Sequence, residues 1–306
     1  MRTIFYLLFM IIIFLCSGCG YEEEDIHPKP KPKSKPAAVA QTPPPVTEPV
    51  TFDHIGKSDK YVLANEDFSN LQLNDYNKPV YDKYGVWDRH DAGLPMSLPE
   101  IEPYHEKNIA YLTFDDGPDN VITPQILDIL KKENVKATFF VCGNMVEKYP
   151  EVLKRIFNEG HAIGNHSYNH VYRELYKSPW DFVAQFMKTD DIIMEHIGVR
   201  PLIIRAPGGV AGVFDEDYWD MIDACGYVEF DWNISTEDAT PSRPSATAQI
   251  TNVIKQLTVL SPRTAIILMH SKAGKEETAK ALPELIRMLR EWGFDFGVIT
   301  PMTPQM

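Results

Sequence analysis

Several kinds of residue are scarce in this chain, and each scarcity closes off a reading. There are only four cysteines in 306 residues, and none has zinc-finger spacing. Cys142 ends an apolar run and Cys225 ends a helix-like run, so both read as buried free thiols, with a single disulfide left open. Positive charge is outweighed: 30 Lys and Arg face 43 Asp and Glu, for a net charge of −13. No broad basic face is available, which argues against a nucleic-acid partner and says nothing against a neutral sugar. The apolar run Ile4–Leu15 is too short to span a membrane. The metalloprotease pattern His-Glu-x-x-His is missing as well, because Ser167 and Tyr168 follow His166.

What stands at the start reads as an export signal: Arg2, then the apolar run, then Cys16-Ser17-Gly18-Cys19. It resembles a bacterial lipoprotein signal over residues 1–19, cleaved before Cys19, whose thiol would carry the lipid. Cys16 departs from that pattern, which favours an aliphatic residue there. An ordinary secretory signal or a retained anchor is the alternative. Residues 20–50 hold an acidic patch and then Pro28-Lys29-Pro30-Lys31-Pro32-Lys33 and Pro43-Pro44-Pro45. Such a stretch makes an extended spacer and no core. Residues 51–105 scatter aromatics among charges without a clear period and read as an irregular segment that packs on the main domain.

From residue 106 to 306 the pattern changes to apolar strands alternating with amphipathic helices, the signature of an α/β fold. Strands are expected at 109–114, 137–141, 161–165, 202–204, 227–232, 265–269 and 294–298. Helices are expected at 123–132 (opened by Thr123-Pro124), 150–158, 178–197, 215–225, 245–257 and 276–292. Seven strand–helix units suggest a barrel one unit short of the common eight. An open doubly wound sheet fits the same periodicity.

Chemistry-bearing residues fall just past the strand ends. Thr113-Phe114-Asp115-Asp116-Gly117-Pro118 places two carboxylates at the end of the apolar run Ile109-Ala110-Tyr111-Leu112. Adjacent carboxylates repel, so keeping both charged needs a cation, and a metal ion would serve. His166-Ser167-Tyr168-Asn169-His170 offers two imidazoles one helical turn apart. Arg205-Ala206-Pro207-Gly208-Gly209, Ser235-Thr236-Glu237-Asp238 and Leu268-Met269-His270 complete five stretches that a barrel would gather on one face. His161, Trp232 and Trp292 read as structural residues or groove wall.

These motifs, in this order, resemble the polysaccharide deacetylase family (the NodB homology domain, carbohydrate esterase family four) over roughly residues 105–300. The Asp-Asp and His-Ser-x-x-His stretches are the most specific part. The resemblance implies a deformed (β/α)7 barrel and removal of N- or O-acetyl groups from a polysaccharide. It implies a divalent metal, zinc first and cobalt or nickel next, held by Asp116, His166 and His170. Two imidazoles and a carboxylate suit zinc and leave a position for water. By the same resemblance Asp115 is the general base, paired with Arg205. His270 is the general acid, oriented by Asp238, and Ser167 steadies the ligand loop. The Gly208 N–H holds the oxyanion, with Leu268 on the substrate side. Gly208 stands where the family usually has an aromatic, and Ala239 follows Asp238 where tryptophan is common. Both changes imply an altered sugar groove.

The expected substrate is peptidoglycan N-acetylglucosamine, met by an exported protein anchored at Cys19 and facing the cell wall, or secreted. Chitin oligomers, an exopolysaccharide and O-acetylxylan are the other polymers. A catalytically silent glycan-binding lipoprotein is the reading from a different class.

Overall fold

The computed structural model describes residues 59–305 apart from 74, 105 and 106. The signal-like start, Cys19 and the Pro-rich spacer lie outside the described residues. Among the described residues no helix is long and apolar enough to cross a membrane.

The segment without a clear period carries three short elements: β1 (Val62–Leu63), β2 (Val80–Asp82) and α1 (Val86–Asp91). β1 pairs parallel with β2, and β2 pairs antiparallel with Arg200–Pro201, a short three-stranded sheet that buried side chains reinforce. Arg89 is wholly buried, pairs with Asp82 and donates to the carbonyls of Glu66 (2.7 Å), Pro95 (3.1 Å) and Asn65 (3.2 Å). Its guanidinium carbon lies 3.8 Å from the centre of the Phe68 ring. The Tyr81 hydroxyl accepts from the Ile163 N–H (3.0 Å), which ties this segment to the main sheet.

The main body runs β3 (Ile109–Asp115), α2 (Ile122–Glu133), β4 (Thr138–Val141), α3 (Gly143–Lys148), α4 (Pro150–Asn158) and β5 (Ala162–Asn165). It continues through α5 (Tyr172–Leu175), α6 (Pro179–Ile197), β6 (Arg200–Pro201), β7 (Ile203–Ile204), α7 (Glu216–Ala224) and β8 (Val228–Glu229). The last elements are β9 (Ile234–Ser235), α8 (Ala246–Leu260), β10 (Thr264–His270), α9 (Glu276–Glu291) and β11 (Asp295–Gly297). All seven expected strands are present, several shortened. The elements β6, β9, α3 and α5 have no counterpart in the periodicity reading because each is too short to show a period.

The main sheet has the order β8-β7-β5-β4-β3-β10-β9 and its pairs are parallel. It is curled into an open barrel, with helices packed on it. Strand β3 is the axis of the arrangement. One edge pairs along its whole length with β10, from Ile109 beside Thr264 to Asp115 beside His270. The other edge is split: β11 pairs with Ile109–Tyr111 and β4 with Thr113–Asp115. That split is the main departure from a regular barrel. Every residue of β3 is buried, as expected for a parallel strand covered on both faces. Phe114, Phe139, Ile126, Leu130 and Leu285 belong to the core between this sheet and the helices. Because the pairs are parallel, the carboxyl ends of β3, β4, β5, β7 and β10 share one rim.

Helix starts follow sequence rules with one correction. Ser178 caps α6 by accepting from the Asp181 N–H (3.0 Å), with Pro179 in the first turn. The expected Thr123-Pro124 opening of α2 is replaced by Asp119. Its carboxylate accepts from the N–H groups of Val121 (3.2 Å), Ile122 (2.7 Å) and Thr123 (2.8 Å). The Thr123 hydroxyl donates to the Ser271 carbonyl instead (2.7 Å), tying the loops after β3 and β10 together. Cys142 and Cys225 are both buried and free.

Candidate metal centre and active site

The rim gathers the expected residues. Asp115 is the last residue of β3, and Asp116 turns away from it in the left-handed region (φ 70°). Ser167 (φ 67°) and His170 (φ 58°) share that unusual backbone. The two imidazoles therefore stand on a loop and not on successive turns of a helix, although their spacing suits one. Strain of this kind persists where the surroundings over-determine it. The surroundings here are specific. The Ser167 hydroxyl accepts from the His170 N–H (3.2 Å), and the Ser167 N–H donates to Asn165 Oδ1 (3.1 Å). The N–H groups of Gly143 and Asn144 hold the carbonyls of Ser167 (3.1 Å) and Tyr168 (2.9 Å).

Asp116, His166 and His170 each aim one ligand atom at a common point, with all three atoms within 4.8 Å of one another. His166 Nε2 is 3.7 Å and His170 Nε2 is 3.4 Å from Asp116 Oδ1. His166 Nδ1 lies 2.8 Å from the Arg205 carbonyl and so carries the proton, which leaves the Nε2 lone pair free to face the cluster. Burial holds His166 below its usual value despite the neighbouring Asp115 and Asp116, so the imidazole is neutral. Burial pushes Asp116 up, but His166, His270, Lys272 and His170 outweigh it and hold its carboxyl well below the usual range. Two imidazoles and a carboxylate are the donor set a divalent cation such as zinc takes. The residues present therefore fit the metal.

Asp115 stands beside this set, its Oδ2 3.8 Å from His166 Nε2. Its Oδ1 accepts from Arg205 Nη1 (2.9 Å). Arg205 is wholly buried and also donates to Thr113 Oγ1 (2.7 Å) and to the carbonyls of Phe230 (2.8 Å) and Asp231 (3.0 Å). Glu229 and Asp231 lie nearby, and burial raises both above the usual carboxylate range, while Asp115 is the carboxylate that pairs directly with this guanidinium.

On the other side, His270 Nδ1 is 2.7 Å from Asp238 Oδ1, while its Nε2 lies 3.8 Å from Asp116 Oδ2. Asp238 is fixed by the His270 N–H (3.0 Å) and the Thr278 hydroxyl (2.8 Å). Burial alone would lower His270, but the bond to Asp238 and the charges of Asp238, Asp115 and Asp116 raise it above its usual value. The carboxylate thus fixes both the ring and its readiness to hold a proton. Leu268 is buried two positions earlier on β10, on the same strand face as His270. Gly208 is exposed (φ 80°), and its N–H has no hydrogen-bond partner among the described residues. All nine expected site residues therefore lie on this rim or on its strands.

Two neighbours have no signal in the sequence. Lys272 Nζ lies 2.7 Å from Asp116 Oδ2. Its position past the end of β10, two residues after His270, is the only feature that could have marked it. Tyr172 follows the ligand loop, and its ring centroid is 5.3 Å from that of His170.

Comparison with known proteins identifies relatives of this chain. The family model described as "Polysaccharide deacetylase" matches residues 103–230. A Bacillus cereus protein named peptidoglycan-N-acetylglucosamine deacetylase is 37% identical over 203 residues, covering 65% of this chain and 70% of the relative. A solved esterase of carbohydrate esterase family four from Streptococcus mutans superposes with a TM-score of 0.60 at 32% identity, over 63% of this chain and 86% of that one. The catalytic domain of peptidoglycan N-acetylglucosamine deacetylase from Eubacterium rectale gives a TM-score of 0.59 at 31% identity, over 70% of this chain and 96% of that one. The curled sheet is accordingly the deformed (β/α)7 barrel, and the chain belongs to the polysaccharide deacetylase family.

Proposed function

We propose that this protein is a metal-dependent hydrolase that removes N-acetyl groups from a cell-wall polysaccharide, with peptidoglycan N-acetylglucosamine as the substrate. The observation that carries the reading is the convergence of Asp116, His166 and His170 on one point, with Asp115 and His270 flanking it. The names of the relatives support peptidoglycan as the polymer.

Asp116, His166 and His170 would hold the cation. When bound, it supplies Lewis acidity and lowers the pKa of water from 15.7 towards about 7. Zinc suits the donor set best, with cobalt and nickel next. Arg205 holds Asp115 in orientation, and Asp115 takes the proton of the attacking water. The Gly208 N–H donates to the oxygen of the acetyl carbonyl as negative charge develops there. The C–N bond then breaks. His270, held protonated by Asp238, gives its proton to the departing amine, and acetate and a free amino sugar result.

The signal-like start supports an exported protein anchored through Cys19, and mass spectrometry of the membrane fraction for a lipidated Cys19 tests that part. The function is tested by acetate release from peptidoglycan, N-acetylglucosamine oligomers and acetylxylan, with metal analysis on the same sample. Release from the first two that a chelator stops is the expected result. No release from any acetylated glycan by metal-loaded protein overturns the reading.

A further inference from the structure

We propose that Tyr172 is a wall of the substrate site, against which an N-acetylhexosamine ring packs while its acetyl group is removed. The proposal rests on the deacetylase reading. It names a residue that no motif singles out.

The position of the ring is unusual. Tyr172 opens the short helix α5 just past the ligand His170, and the two rings meet edge to face at 77°. The same ring lies against the peptide of Gly208. A Cβ built on Gly208 would sit 2.7 Å from the Tyr172 hydroxyl oxygen and 2.9 Å from Cε1, so a side chain there would push the tyrosine ring out of this position. The missing side chain at Gly208 is thus what lets the tyrosine lie there. One ring borders both a proposed metal ligand and the loop carrying the free N–H.

The ring is also supported. It lies 5.9 Å from the ring of Tyr176, whose hydroxyl donates to the Pro207 carbonyl (2.5 Å). Tyr176 stacks in turn on the fully buried Phe182 at 5.7 Å. Tyr172 is therefore the outer end of an aromatic ladder rooted in the core, yet it remains 51% exposed. A half-open ring held in this way is a platform rather than a loose side chain. It stands on the open side of the ligand set, since the side chain of His170 is 31% exposed against 3% for His166 and 8% for Asp116.

The chemistry matches a sugar. The C–H faces of a pyranose are apolar while its rim is polar, so it needs a flat apolar surface with a polar edge. A tyrosine supplies both and loses little rotamer freedom on binding.

The test compares two substrates on the metal-loaded full chain: N-acetylglucosamine oligomers and a small acetate ester without a sugar. Wild-type release from the oligomers is measured first. Absence of release from the oligomers overturns this proposal, and absence from peptidoglycan and acetylxylan as well overturns the deacetylase reading on which it stands, before any variant is made. Given release, Tyr172→Ala should raise KM for the oligomers so that kcat/KM falls about tenfold more than it does for the ester, about 1.4 kcal/mol lost from sugar packing. Tyr172→Phe should recover most of that loss, since the ring face and not the hydroxyl carries the contact. Bound metal should be retained in both variants. Equal losses on both substrates, loss of metal, or a phenylalanine variant as poor as the alanine one would overturn the proposal.

Discussion

Arg205→Lys asks whether Asp115 needs a fixed fork or only a nearby positive charge. The arginine gives its donors to four acceptors: the carbonyls of Phe230 and Asp231, the Thr113 hydroxyl and Asp115 Oδ1, at 2.7–3.0 Å. The guanidinium carbon also lies 4.2 Å from the centre of the Phe140 ring. An ammonium group reaches one end of this fork and not the other. If it keeps Asp115, the carbonyls of Phe230 and Asp231 lose their donors. Each buried group left unsatisfied costs about 1–3 kcal/mol. Asp231 is only partly buried and can turn to water, so the sum is about 2–4 kcal/mol. At about 2–4 °C per kcal/mol for a domain of this size, the melting temperature falls by about 5–15 °C. A carboxylate that has lost its orientation costs turnover as well, up to about a hundredfold for a displacement of about 1 Å. Metal content should hold, because the Arg205 contact to His166 is made by its backbone carbonyl, which the substitution keeps. Thermal unfolding, steady-state acetate release and metal analysis on one preparation measure all three. A lysine variant that melts within about 1 °C of the parent and turns over at the parent rate would refute the argument.

Asp115→Asn keeps an acceptor for Arg205 and replaces none of the three proposed ligands. Turnover should fall about 10²–10⁴-fold with bound metal unchanged, and full activity would remove Asp115 from the role of base. Metal removal should abolish acetate release and lower the melting temperature. Zinc restored at about a hundredfold excess over Kd should return about 2.7 kcal/mol of stability, whereas a chelated protein that melts like the loaded one would speak against a built site. His161 gives a pH prediction. It is buried, accepts from the Ala137 N–H at Nδ1 (3.2 Å), and is pushed down to about 3 by burial and by the charges of Lys136 and Arg155. Its folded value lies below the unfolded 6.5, so its contribution is complete above pH about 6.5 and is lost as pH falls toward about 3, costing about 2 kcal/mol by pH 5. His161→Asn keeps an acceptor and removes the titration. Denaturant unfolding at pH 7 and pH 5 should show a smaller acid loss in the variant, and equal losses would discard the assignment.

What could be read from the sequence follows from what the chemistry and the sheet demand. A parallel strand covered on both faces must be an apolar run, so Ile109–Leu112 announced β3, and the acids at its end announced the rim. A cation needs donors of fixed type, so Asp116, His166 and His170 were legible as candidate residues before their geometry was known, and Asp115 by its place beside Asp116. What was not legible depends on contacts that leave no period. The segment before β3 gains its order from two short strands paired with Arg200–Pro201, from Arg89 on Asp82 and Phe68, and from Tyr81 reaching Ile163, long-range contacts that no local pattern encodes. The spacing of His166 and His170 suits a helix. The chain instead carries them on a loop because Ser167, Asn165 and the N–H groups of Gly143 and Asn144 hold backbone that residue type alone disfavours. Tyr172 and Lys272 escaped for the same reason: neither belongs to a repeating face, and each matters only through where a loop sets it down. The donor atoms of such a site are fixed by reaction chemistry and show in the letters of the sequence. The walls that choose among substrates are fixed by packing, and for this chain the bare Gly208 peptide, with Tyr172 lying on it, is where that choice should be sought.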